Sequence, residues 1–144
     1  MVPTLSGRIQ TRIFSLVVVG GLWLLIISPF LPQTASVSQK YQATFLVLGL
    51  VIAVGIVWEL IYHGLQQFRW EKDWPALFTL VLAIPEGIVV WVLLKTVISN
   101  SLVKPNGTSY IIAFATVWLV VWMFLNGPMR VPAIHWRFRG GRVI

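Results

Sequence analysis

Residues 75–95 read PALFTLVLAIPEGIVVWVLLK. As a helix rising 1.5 Å per residue the stretch covers about 30 Å, the thickness of a bilayer's hydrocarbon core. Its centre nevertheless carries Pro85, Glu86 and Gly87. An ionisable side chain in hydrocarbon is costly and marks a candidate functional position. By helix rise Glu86 lies about 16 Å into the stretch, near the midplane. Thr79, Ala83 and Glu86 follow i, i+4, i+7 spacing, with Ala76 below them. This is one helical stripe of small and polar residues. Small residues mark helix contacts in lipid, so Glu86 is expected to face the bundle or a partner subunit. Pro85 cannot donate to the Val81 carbonyl, and a kink is expected there.

The rest of the chain repeats the apolar pattern. Further spans are expected at about 13–31, 44–62 and 109–125. Of the 144 residues 58% are hydrophobic and 10% charged, and the mean hydropathy is +0.85. A typical soluble domain is about 25% charged, so this chain lacks the polar sequence for a soluble shell. The fold class expected is an all-α integral membrane protein, a bundle of four transmembrane helices forming a single domain over 1–144. A basic start before an apolar run also characterises secretory signal peptides, and Thr34-Ala35-Ser36 could serve as a cleavage site. The run from Ile13 to Leu31 exceeds the usual core of about 7–15 residues, so an uncleaved helix is expected. Gly49 and Ala53, four apart, are expected to permit close helix approach. Asn126-Gly127-Pro128 reads as a helix stop, and Asp73 before Pro75 as a helix start.

The basic residues sort by side. Arg8, Arg12, Arg69, Lys72, Arg130, Arg137, Arg139 and Arg142 fall in the N-terminus, the second loop and the tail; Lys40, Lys95 and Lys104 fall at the other side. Cytoplasmic loops carry the excess of Lys and Arg, so both termini are expected to be cytoplasmic. The net charge of +7 is accounted for by this asymmetry, and nucleic acid is not an expected partner. The chain has no cysteine, which excludes disulfides, thiolate metal sites and a Cys nucleophile.

Three groups of residues could carry chemistry. Glu86 could handle a proton or cation, or, as a neutral acid, simply join helices as Asn or Gln would. No Lys, Arg or His is expected at its depth, so no intramembrane ion pair is expected. Glu59 and His63 stand i, i+4 at the end of the second span. They would suit a proton relay or a metal, or an interfacial polar cap in which Glu59 pairs with His63 or with an Arg of the tail. The second loop, with Arg69, Trp70 and Lys72, and the tail 129–144, with Arg130, His135, Trp136, Arg137, Arg139 and Arg142, suit a protein partner or anionic lipid. No catalytic set, metal spacing, nucleotide loop or haem motif is present in the sequence, so neither a metal nor a cofactor is expected. The leading expectation is a non-enzymatic membrane subunit that anchors, assembles or stabilises a larger complex. Its expected partners are membrane lipids and either another protein or further copies of the chain. The alternative is an oligomeric proton- or cation-coupled transporter or channel working through Glu86. A lipid-modifying enzyme using Glu59, His63 and His135 is a third reading.

Overall fold

The structure, a computed structural model, describes residues 4–68, 76–96 and 105–143. Among the described residues it is all-helical, and four helical stretches are long and apolar enough to cross a membrane: Leu5–Phe30, Val37–Leu65, Leu77–Thr96 and Gly107–Arg130. The large apolar side chains Leu22, Ile26, Leu77, Ile84 and Ile111 point outward, while Ser15, Ser28, Thr44 and Glu86 are buried. An apolar exterior around a partly polar interior is the arrangement lipid demands.

The first stretch starts earlier than its apolar run. It comprises α1 (Leu5–Ser15), a π-helical turn at Leu16–Gly20, α2 (Gly21–Ile27) and a 3-10 turn at Ser28–Phe30. Thr4 caps it, accepting from the Gly7 N–H at 3.2 Å. The inward row Arg12, Leu16, Gly20, Leu24 and Ser28 is spaced strictly by four. Such a row drifts about 40° per step on an α-helix. The π turn, with more residues per turn, removes part of the drift and keeps the row facing the bundle.

The second stretch is one uninterrupted helix, α3 (Val37–Gln67). The third is broken into α4 (Ala76–Val81) and α5 (Ala83–Thr96) at Leu82. This is the break expected of Pro85, whose missing N–H leaves the Val81 carbonyl without its helical donor. The fourth, α6 (Gly107–Asn126), ends at the expected stop and is followed by a 3-10 turn at Pro128–Arg130. The expected helix start at Asp73, and the loop residues Arg69, Trp70 and Lys72, lie outside the described residues.

Side-chain bonds fix an up-down-up-down bundle. At the end far from the termini the buried hydroxyls of Ser28 and Thr44 meet at 2.8 Å. Asn106 caps α6 through Ser109 N–H at 2.7 Å and donates to the Pro32 carbonyl at 2.8 Å. Lys40 Nζ donates to the Pro29 and Leu31 carbonyls at 3.2 and 2.8 Å, satisfying acceptors that the end of the first stretch leaves open. Between these ends Leu16, Leu24, Val47, Val51, Val90, Leu94 and Val117 form the core.

The tail does not project away. A short helix, α7 (Ile134–Phe138), leads into Gly140 and Gly141, with φ of +64° and +81°. Glycine adopts this left-handed conformation without the cost a Cβ imposes. The turn lays the tail along α1. The Gly140 carbonyl accepts from Thr4 N–H at 2.9 Å, the Thr11 hydroxyl donates to the Gly141 carbonyl at 2.7 Å, and Val143 N–H donates to Gln10 at 3.2 Å. Trp136 Nε1 donates to the Thr11 hydroxyl at 2.6 Å. The contact is close because Gly7 has no side chain: a Cβ there would overlap the Gly140 carbonyl oxygen and stand 2.7 Å from the Gly141 carbonyl carbon. Gly7→Leu is therefore expected to lift the tail. Limited trypsinolysis at Arg139 and Arg142 should become several-fold faster than in the parent protein; an unchanged rate would rule out this docking.

Candidate functional site: a buried charge network against an aromatic stack

Glu86 lies in the first turn of α5 and is fully buried. Its partner is Arg12 of α1, whose Nη2 donates to Glu86 Oε1. The same guanidinium donates through Nη1 to Glu59 Oε1 at 3.2 Å, and Arg8 Nε donates to Glu59 Oε2 at 2.7 Å. Two arginines of the first stretch and one carboxylate from each of the next two thus form a chain of alternating charge. By helix rise these residues lie about 5–14 Å from the end of the bundle that carries the termini, Arg8 nearest to it and Glu86 farthest. Side chains lean toward the N-terminus of their own helix. Glu86 on α5 therefore leans toward that end and Glu59 on the antiparallel α3 leans away from it, and the carboxylates converge on one guanidinium.

This overturns the expectation that Glu86 has no cation at its depth. Arg12 precedes the apolar run, yet the helix begins at Leu5 and the long side chain carries its charge inward to Glu86. Among the described residues Glu59 likewise pairs with neither His63 nor the tail; its oxygens go to Arg8 and Arg12. His63 Nδ1 is buried and has no hydrogen-bond partner among the described residues. The stripe expected on an unbroken helix is also dispersed. The break at Leu82 leaves Thr79 exposed, and the buried row on α5 is Glu86, Val90 and Leu94.

Two glycines admit the network. A Cβ on Gly55 of α3 would overlap the Arg12 guanidinium, so Gly55 leaves the groove in which that side chain lies. Gly49 and Ala53, the pair expected to make a close approach, face outward. On Gly87 a Cβ would stand 2.8 Å from Phe114 Cε1. Bare backbone here brings α6 close, and the Gly87 carbonyl accepts from the Tyr110 hydroxyl at 2.7 Å.

Tyr110, Phe114 and Trp118 recur every four residues along α6 and stack, with ring centroids 5.7 and 5.8 Å apart. Trp91 of α5 extends the row at 4.8 Å from Tyr110. Arg12 lies over Trp118 at one end, 5.4 Å from the ring centroid, and Lys95 lies over Trp91 at the other at 4.7 Å. The guanidinium is thus held by two carboxylates and a ring face, a combination Arg suits better than Lys because it is planar and weakly hydrated. Beyond Trp118 the interior holds a cavity of about 20 Å³ lined by Leu16, Leu24, Val47, Leu48, Val51 and Val117, with Thr44 the polar group at its wall.

The expected tail contacts divide. Trp136 is turned to the chain's own Thr11. Arg130, His135, Arg139 and Arg142 are exposed, with Arg130 Nη2 also donating to Asn126 at 3.1 Å; the Arg137 side chain is outside what is described. No group of three metal-ligating side chains occurs among the described residues. Neither family models, characterised proteins nor solved structures give a match to this chain.

The network makes a sharp energetic statement. Removing one partner of a buried pair leaves the other charge uncompensated, at about 3–5 kcal/mol, whereas replacing both by apolar groups is often neutral or better. Arg12→Ala is expected to cost about 3–5 kcal/mol in unfolding measured in detergent, and Arg12→Met with Glu86→Met to recover most of it. Gly55→Leu should reproduce the loss without altering a charge. If the single Arg12 variant unfolds like the parent, the pair does not hold the bundle together.

Proposed function

We propose that this chain is a non-enzymatic, multi-pass membrane subunit, with both termini cytoplasmic, that anchors or stabilises a larger membrane complex. The observation that carries this reading is the closure of the charge network. Glu59 and Glu86 are matched inside the chain by Arg8 and Arg12, so Glu86 serves as a joint between helices. What remains for partners is the outward apolar faces of the four helices and the basic end beside the termini. The orientation is supported by the same end carrying exposed Arg130, Arg139 and Arg142, while Lys40 at the opposite end turns its ammonium onto backbone carbonyls. The loop residues Arg69, Trp70 and Lys72 belong with this basic end in the reading.

Native electrophoresis of membranes solubilised in mild detergent tests the assignment. The tagged chain is expected in a complex well above its own 16.3 kDa plus micelle, and its deletion should deplete the other members. Migration as a free monomer would overturn the reading. For the orientation, a fluorescent protein fused after Ile144 should fluoresce and an alkaline phosphatase fused there should be inactive; the reverse pattern would invert the topology.

A second reading, proton- or cation-coupled transport through Glu86, is favoured by one observation. Glu86 Oε2 is buried with no hydrogen-bond partner among the described residues, leaving a lone acceptor beside the broken helix. Proton-coupled cation flux in reconstituted vesicles, abolished by Glu86→Gln, would put this reading first; equal flux in both proteins would remove it.

A further inference from the structure

The tail's outer surface combines two features that its docking on α1 brings together. Trp136 points inward to Thr11. Phe138, two residues on and so on the opposite side of α7, is 71% exposed, and Val131 is 76% exposed. Arg130, His135, Arg139 and Arg142 of the same tail are exposed as well. The two acids among the described residues, Glu59 and Glu86, are already taken by Arg8 and Arg12. The surface charge at this end is therefore basic and uncompensated among the described residues.

We propose that this surface is a binding site for anionic phospholipid head groups of the leaflet on the side of the termini, with Phe138 and Val131 entering the acyl boundary and Arg130, Arg139 and Arg142 meeting the phosphates. The inference rests on the membrane placement proposed above and adds the partner of the basic end. The physical basis is that of an interfacial amphipathic segment, in which apolar burial and attraction to anionic lipid add. Arginine forks match phosphate oxygens. The tail is held in place by its own bonds to Thr4, Gln10 and Thr11, so little ordering accompanies lipid contact.

Each basic residue close to an anionic surface contributes about a fivefold gain in affinity, which sets the scale of preference for a lipid that meets one of the three arginines. The test uses the full chain reconstituted in phosphatidylcholine with a trace of spin-labelled lipid, comparing phosphatidylglycerol with phosphatidylcholine labels in the motionally restricted shell. The expected result is a severalfold preference for phosphatidylglycerol. It should fall as salt is raised and disappear in the Arg130→Gln, Arg139→Gln, Arg142→Gln protein. The salt titration of the parent protein needs no variant to fold. Equal restriction of the two labels, or a preference that survives the triple substitution, would overturn the proposal. In either case retention of an acidic protein that the triple variant releases would assign the surface to protein docking instead. Loss of lipid preference with the native complex intact sinks this inference alone; lipid preference in a protein that migrates as a free monomer sinks the subunit reading alone.

Discussion

A carboxylate buried among four apolar helices must find a cation or give up its charge, and in this protein Glu86 finds Arg12. Much of the structure follows from that requirement. The first helix must start well before its apolar run, so that a guanidinium can be carried into the bundle. The second helix must lack a side chain at Gly55, where the guanidinium lies. It must also bring Glu59, because Arg8 and Arg12 together exceed the charge of Glu86. In lipid there would be no hydrophobic drive to hold such helices together, and polar joints and close packing would do the holding. Here one joint ties three of the four helices, and Trp118 beneath Arg12 adds the fourth.

Pro85, Glu86 and Gly87 act as a unit in this arrangement. Proline interrupts the helix at Leu82, which sets the direction of α5 and so of Glu86. The next residue supplies the charge. Glycine removes the bulk that would keep Phe114 away, and its carbonyl takes the Tyr110 hydroxyl. The aromatic row on α6 then runs from Trp91 to the guanidinium. Offset aromatic pairs contribute about 0.5–1.5 kcal/mol each beyond area burial, so α6 is fixed to the charged centre by several modest contacts and not by one strong one.

The far end of the bundle is joined by the Ser28–Thr44 pair, the Asn106 bond to Pro32 and the Lys40 ammonium on the Pro29 and Leu31 carbonyls. Among the described residues, ion pairs are thus concentrated toward the end with the termini. There the C-terminal tail closes over α1 by backbone carbonyls presented from a glycine turn. The Gly140 carbonyl and the Thr4 side chain satisfy donors that a helix start leaves open, and the Gly141 carbonyl takes the Thr11 hydroxyl, so the tail and the first helix support each other's position. The outer face of the tail keeps Arg130, Arg139 and Arg142 exposed.

Much of the architecture was legible in the sequence alone. Four runs of apolar residues of bilayer length, the proline break and the Asn126-Gly127-Pro128 stop depend on composition and local backbone chemistry; four helices long and apolar enough to cross a membrane are present, the first beginning at Leu5 and the second at Val37, ahead of their apolar runs. The burial of Glu86 was legible for the same reason, since a lone acid in an apolar helix must face inward. Its partner was not. Arg12 stands 74 positions away in the chain and looks, locally, like an ordinary basic flank before a span. Likewise Gly49 with Ala53 has the expected spacing and faces outward, while Gly55, with no such pattern, makes the close approach. Spacing along one helix determines which residues share a face. Which face meets which neighbour, and how far a long side chain reaches across, is decided only when four helices pack and every buried charge and carbonyl must be matched at once.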